Sequence, residues 1–233
     1  MTSVRRAPWI DEPDLPTRLH DAGEVDTDMT PSLEDSLVTG MHFADERAER
    51  LALSGCRLSS VTWTGASIRN VTLIDVVVED CELSGATVDF ATFQRVRFER
   101  CRMSGFIAPQ LQATHVTFSE CRMDQCWLRM ASVERCAFED CDLTAADFYT
   151  ARINESRFVR STLDEAELSD AVLRDVAFHG STVDGIKGAE ALRDITIGSD
   201  QVVSFAFPVF GSLGIAVDDD YFGGPDDLPE SSP

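Results

Sequence analysis

From Leu58 to Val183 the chain keeps a five-residue phase, and no insertion shifts it. The central apolar residue falls on Leu58, Trp63, Ile68, Leu73, Val78, Leu83, Val88, Phe93, Phe98 and Met103. After an irregular patch it resumes at Phe118 and runs to Val183. Two positions before it stands a mostly small residue: Cys56, Ala66, Cys81, Ala86, Ala91, Cys101, Cys121, Ala131, Ala146. Apolar–polar alternation is the mark of a strand, but a strand would continue it. Here it restarts after two polar residues. A repeat of fixed length held this long defines stacked structural units.

A second period lies inside the first. Phe98, Phe118, Phe138, Phe158 and Phe178 are twenty residues apart, as are Cys81, Cys101, Cys121 and Cys141. Four five-residue sides then make one turn, and residue n lies over n+20. Each side is a very short strand with two residues inward and three outward. Coils stack about 4.8 Å apart, so about seven of them give a rod on the order of 34 Å long. The polar pairs are corners. Gly65, Gly85, Gly105 and Gly185 share one corner, where the backbone adopts an unusual φ. The expected fold is all-β: a four-sided solenoid whose core holds the Phe and Cys columns named above.

Segments such as CELSGATVDF, CRMSGF, CDLTAADF and ARINESRF resemble the pentapeptide-repeat family, whose motif is A(D/N)LXX. The resemblance covers roughly residues 49–188 and implies a right-handed quadrilateral β-helix. Residues 106–113 depart from the motif. Phe106 and Leu111 are large where small residues belong, and Ala108 and Ala113 are small where large ones belong. A large–small swap conserves core volume, but Pro109 lacks a backbone donor. A local bulge or bent side is expected there.

The domain plan follows. Residues 1–45 form a largely irregular extension, 46–188 the β-helix, 189–217 a C-terminal cap, and 218–233 an acidic disordered tail. The net charge of −21 divides as −7 over residues 1–45, −6 over 46–188 and −8 over 189–233. Direct nucleic-acid binding needs a basic surface and is disfavoured. The N-terminus has no apolar signal region and no run spans a bilayer, so a cytoplasmic protein without a membrane partner is expected.

The seven cysteines contain no CxxC pair. Their positions are the small inward slots, where cysteine serves as a small hydrophobe. His20, His42, His115 and His179 lack metal-ligand spacing. No nucleophile motif and no phosphate loop is present. The expectation is a protein with no catalytic residues, no metal and no cofactor. Arg95, Arg97, Arg100 and Arg102 form a basic cluster, but acids at stacked positions make a charge ladder between coils the better reading than an anion site.

Two surfaces stand out. On the side carrying Val88, Ala108, Leu128 and Phe148, the outward positions include Phe90, Ile107, Trp127, Met130 and Tyr149. A clustered apolar patch marks a contact surface, either for a protein partner or for the N-terminal segment, which holds Trp9, Ile10, Leu15, Leu19 and Val25. After Gly188 the phase fades. A short strand is expected, then an N-cap at Ser199 or Asp200. A helix follows with Val202, Val203, Phe205, Phe207 and Phe210, in which Pro208 makes a kink or an end. Being apolar all round, this helix must be buried, capping the coil stack and forming a homodimer.

The functional expectation is a non-catalytic interaction scaffold that binds a protein partner through the faces of the rod. The alternative comes from the resemblance: related family members protect DNA gyrase from quinolones by presenting a DNA-like acidic rod. A mimic should carry its charge on the rod, and the near-balanced repeat fits that poorly.

Overall fold

The computed structural model describes residues 9–23 and 32–217. The expected acidic tail, 218–233, lies outside the described residues. Every coil has four short sides joined by corners. One side carries the central residues Val38, Leu58, Val78, Phe98, Phe118, Phe138, Phe158 and Phe178 and is termed side one; the chain then passes through sides two, three and four. All strand pairs are parallel. On side four Leu33, Leu53, Leu73, Phe93, Ala113, Val133, Ile153 and Leu173 form one column at steps of twenty. That column has eight rungs, one more coil than the sequence reading allowed. Ser32–Glu34 and Ser36–Thr39 are already strands of the coil, whereas the sequence reading placed them in an irregular extension. Their central residues Leu33 and Val38 keep the phase, but polar Ser36 and Glu46 stand at the positions where the repeat has small apolar residues and hide it; Ser36 is buried and Glu46 exposed.

Each coil bonds to its neighbours through the backbone. The Arg102 N–H donates to the Cys81 carbonyl at 2.9 Å, and the Leu83 N–H donates to the Arg102 carbonyl at 2.7 Å. The corners need left-handed backbone. From residue 35 to residue 185, every fifth residue except Arg50 and Asn70 has φ between 46° and 67°. Most of these residues are Asp, Arg, Glu or other non-glycines, for which this conformation is unfavourable. The packed interior and ladder hold them there.

The interior is a continuous apolar column. The rings of Phe98, Phe118, Phe138, Phe158 and Phe178 stack at 5.0, 4.9, 4.8 and 4.9 Å, with planes within 8°. Each ring buried this way contributes about 1.5–3 kcal/mol relative to exposure. The column Cys81, Cys101, Cys121, Cys141 is buried and continues as Ser161 and Ser181. The Ser161 hydroxyl accepts the Cys141 N–H at 3.1 Å, so a polar side chain replaces sulfur without an unmet bond. All seven cysteines are free and buried. Burial pushes the Cys136 thiol up to about 12 and raises that of Cys126 as well.

The expected bulge at 106–113 is absent. Phe106, Ala108, Leu111 and Ala113 are all buried, and Phe93, Ala113 and Val133 stay in register. The swap of large and small residues conserves volume, so the backbone does not deviate. Pro109 costs nothing because its N–H is dispensable there: at the equivalent positions Tyr149 and Ser169 use theirs on the Asp147 and Glu167 carboxylates.

At the C-terminal end, Ile195–Ile197 adds to side one, with Ile197 beside Phe178. This step is nineteen residues, not twenty. Ser199–Gln201 is a 3-10 turn and the α-helix spans Val202–Ser212. Neither Ser199 nor Asp200 caps that helix; it starts from Gln201, whose side-chain amide donates to the Ser181 carbonyl at 2.6 Å. Pro208 lies inside the helix without ending it. Of the five apolar helix residues singled out from sequence, only Phe205 is buried. Its ring meets Phe178 at 5.6 Å and closes the phenylalanine column.

Candidate interaction surfaces

The side-three patch forms through the twenty-residue register. Thr87, Ile107, Trp127, Asp147, Glu167 and Lys187 are successive bridge partners in one outward column. Ile107 therefore stacks on Trp127. Phe90 and Met130 stand at corners of the same side, exposed at 58% and 48%; Trp127 is 50% exposed, Tyr149 38%, and Ile107 is half-buried.

Two residues that sequence reasoning missed organise this patch. The Arg129 guanidinium lies 5.5 Å from the Trp127 ring and 5.6 Å from the Tyr149 ring. Its Nε donates to Asp147 at 2.6 Å, and the other Asp147 oxygen accepts the Tyr149 N–H at 3.0 Å. Asp147 is only 9% exposed. A buried carboxylate thus pins an arginine between two aromatic rings. The signal was present: Asp147 follows Trp127 by one turn, and Arg129 shares its side. Below them, Glu167 is held under the usual carboxylate range, first by its hydrogen bonding with Ser169, with Lys187 and Arg129 adding to this against the effect of burial.

Among the described residues of the N-terminal segment, none covers this patch; Val25 lies outside the described residues. Residues 9–23 run along the opposite edge of side four, where sides four and one share the continuous strands Val71–Glu79, Thr92–Glu99 and Gln112–Ser119. Trp9 lies 4.1 Å from the Arg157 guanidinium. The Asp11 N–H donates to His115 Nδ1 at 2.9 Å, which places the imidazole proton on Nε2, 3.5 Å from the Asp11 carboxylate. Glu12 approaches Arg97 at 3.6 Å, and the Asp14 N–H donates to Asp75 at 3.0 Å. Ile10 is buried, and His20–Asp21 pairs with Ser36–Leu37. Of the two alternatives for the patch, a partner or a cover from this segment, residues 9–23 do not supply the cover, because their acids find cationic and imidazole partners at the other edge.

The arginine cluster is a ladder between coils. Arg95 makes two bonds to Asp75, both at 2.6 Å, and Arg100 meets Asp80 at 2.8 and 3.1 Å. Arg102 faces Glu82 at 3.9 Å, and Arg97 faces Glu99 and Glu12 at 3.7 and 3.6 Å. The guanidinium of Arg95 holds the Asp75 carboxyl below its ordinary range. Further along, Arg160 pairs with Asp140 at 2.6 Å.

On the helix, Val203, Phe207 and Phe210 share one face. They are 68%, 56% and 39% exposed, and Val202 is 55% exposed. Among the described residues, no group of three or more His, Cys, Asp or Glu side chains is placed to hold a metal ion, and no helix is long and apolar enough to cross a membrane.

Parallel five-residue sides in four columns, with a left-handed residue at nearly every corner, define a quadrilateral β-solenoid. Residues 131–201 match the family model described as a pentapeptide repeat region. That stretch lies within the four-sided β-solenoid, which continues with the same register on its N-terminal side. Among solved structures, trypsin-treated QnrB1 carrying R167E, titled a plasmid-mediated fluoroquinolone resistance protein, is 15% identical; the match covers 78% of this chain and 100% of that one, with a TM-score of 0.41. HetL, titled a pentapeptide repeat protein involved in heterocyst differentiation regulation from the cyanobacterium Nostoc sp. strain PCC 7120, is 15% identical over 72% of this chain and 87% of that one, with a TM-score of 0.30. Rfr23, a pentapeptide repeat protein from the cyanobacterium Cyanothece 51142, is 12% identical over 59% of this chain and 91% of that one, at 0.17. No curated protein matches the chain.

Proposed function

We propose that the protein is a non-catalytic cytoplasmic scaffold that binds a protein partner through side three of its rod and pairs with a second copy through its C-terminal helix. The observation that carries this reading is the Trp127–Arg129–Tyr149 cluster pinned by Asp147. Aromatic residues and arginine are the side chains that most often dominate binding energy at protein interfaces. Here their rotamers are set before any partner arrives, which lowers the entropy lost on binding. Phe90, Ile107 and Met130 supply apolar area around them. Free buried thiols suit a reducing compartment.

The test compares the full chain with its W127A/Y149A variant as affinity bait in extract of the source cells. The expected result is a partner that rebinds when purified, in fixed stoichiometry, and loses about 30-fold in affinity with the variant. Equal binding to both baits overturns the reading.

The alternative is a modulator of DNA gyrase acting by charge mimicry. The cross-coil pairs Arg95–Asp75, Arg100–Asp80 and Arg160–Asp140 neutralise carboxylates locally and speak against it. A supercoiling assay decides: inhibition or quinolone protection at micromolar protein would replace the scaffold reading with this one.

A further inference from the structure

We propose that the edge between sides four and one is a binding groove for an extended acidic peptide, and that residues 9–14 fill it as a displaceable strap. This surface is separate from the side-three patch and does not depend on its role.

The chemistry of the edge suits such a ligand. Outward positions on a pentapeptide coil are normally polar, yet in the column running through Arg57, Val77, Arg97, Thr117, Ala137 and Arg157, Val77 and Ala137 are each 2% exposed. One buried apolar residue thus lies between each successive pair of arginines, Val77 between Arg57 and Arg97 and Ala137, with Thr117, between Arg97 and Arg157. The strap answers that pattern with an aromatic ring over Arg157, a buried isoleucine, and acids toward His115 and Arg97. The ligand class read from it is aromatic–aliphatic–acidic–acidic, in extended form.

The strap is a weak occupant of this edge. From residue 9 to residue 19 it makes no strand pairing. Its polar hold consists of two N–H bonds to side chains and carboxylate contacts at 3.5 and 3.6 Å. Beneath it, Arg97 Nε is buried and makes no hydrogen bond among the described residues; the Glu99 carboxylate faces it at 3.7 Å, beyond bonding distance. A buried donor left without a partner is costly. A carboxylate reaching both Nε and the terminal nitrogens would satisfy it as a bidentate pair. An acidic peptide from another molecule can therefore gain a bond that the strap does not make, and this favours exchange.

The test keeps the full chain. A fluorescently labelled decapeptide with the sequence of residues 7–16, APWIDEPDLP, is titrated against the unmodified protein and against a W9S/I10S/E12S variant whose strap is weakened. If the strap is closed about nine-tenths of the time, the variant binds about tenfold more tightly. Adding R97A to that variant lowers affinity about tenfold again. Equal binding to strap-closed and strap-weakened proteins, or indifference to R97A, overturns the proposal. A second measurement needs no variant. Raising salt from about 50 to about 500 mM shortens the screening length severalfold, so the Asp11 and Asp14 amides should exchange several-fold faster while the Phe118 amide does not. Unchanged exchange at Asp11 and Asp14 would show that the strap is not displaceable.

Discussion

Single residues in this molecule are placed under strain that the stack offsets. Gly105 has φ of 63° and an added Cβ would meet nothing, so a G105A variant isolates the cost of left-handed backbone. That cost is about 1–2 kcal/mol, reduced by about 0.4–1 kcal/mol because alanine also restricts the unfolded chain. G105A should lower stability by roughly 0.5–1 kcal/mol in chemical denaturation. At Gly188, with φ of 71°, a Cβ would run into the Ser169 and Leu168 backbone, which cannot turn aside. G188A should cost clearly more than G105A; equal midpoints would refute this account. Asp75 supplies a pH test. Its folded pKa is depressed, chiefly by the Arg95 hydrogen bond. Its contribution is therefore present above the unfolded value of about 3.9 and is lost as pH falls through the folded value. D75N should lower the melting temperature at neutral pH and show a shallower decline below about pH 4 than the parent.

At the scale of elements, the phenylalanine column is one unit built from five successive coils of side one. Phe138 has a ring above at 4.9 Å, a ring below at 4.8 Å and the edge of Phe148 at 6.5 Å. F138A should cost about 3–5 kcal/mol, because neighbours fixed by the ladder cannot collapse into the space. A loss under about 1 kcal/mol in denaturant titration would mean that the column is not packed as described. This column was legible in the sequence because its contacts repeat with a fixed step. The coil's start at Leu33 was not, since Ser36 and Glu46 interrupt the small-apolar signal. The strap was not legible either: Asp11 and His115 are 104 residues apart, and no period connects them. The C-terminal helix was legible as an apolar segment but not in its burial, because sequence gives no measure of how much surface a coil end can cover. One end of the Phe column needs one ring, and Phe205 supplies it.

For the whole molecule, the helix face left exposed among the described residues is where the proposed pairing with a second copy is tested. Val203, Phe207 and Phe210 project from the end of the rod, and exposed apolar area of this kind marks an association surface. Sedimentation of the full chain should show a dimer, and F207D/F210D a monomer with an unchanged β-sheet circular dichroism spectrum. A parent protein that sediments as a monomer at micromolar concentration removes the dimer. The side-three patch was legible at this scale through the spacing of Ile107 and Trp127. Arg129 and Asp147, which give it rigidity, read as ordinary surface charge until their columns were built.

The constant step of twenty residues has a further consequence. A tandem duplication or loss of one whole turn between residues 52 and 171 leaves every inward side chain inward, and adds or removes one storey of about 4.8 Å. Such a chain is a ruler whose length its gene can edit in fixed increments. Within that stretch, a shift of any number not divisible by five would move inward residues off their slots unless a turn absorbed it, as the 3-10 turn Ala189–Ala191 accompanies the nineteen-residue step to Ile197.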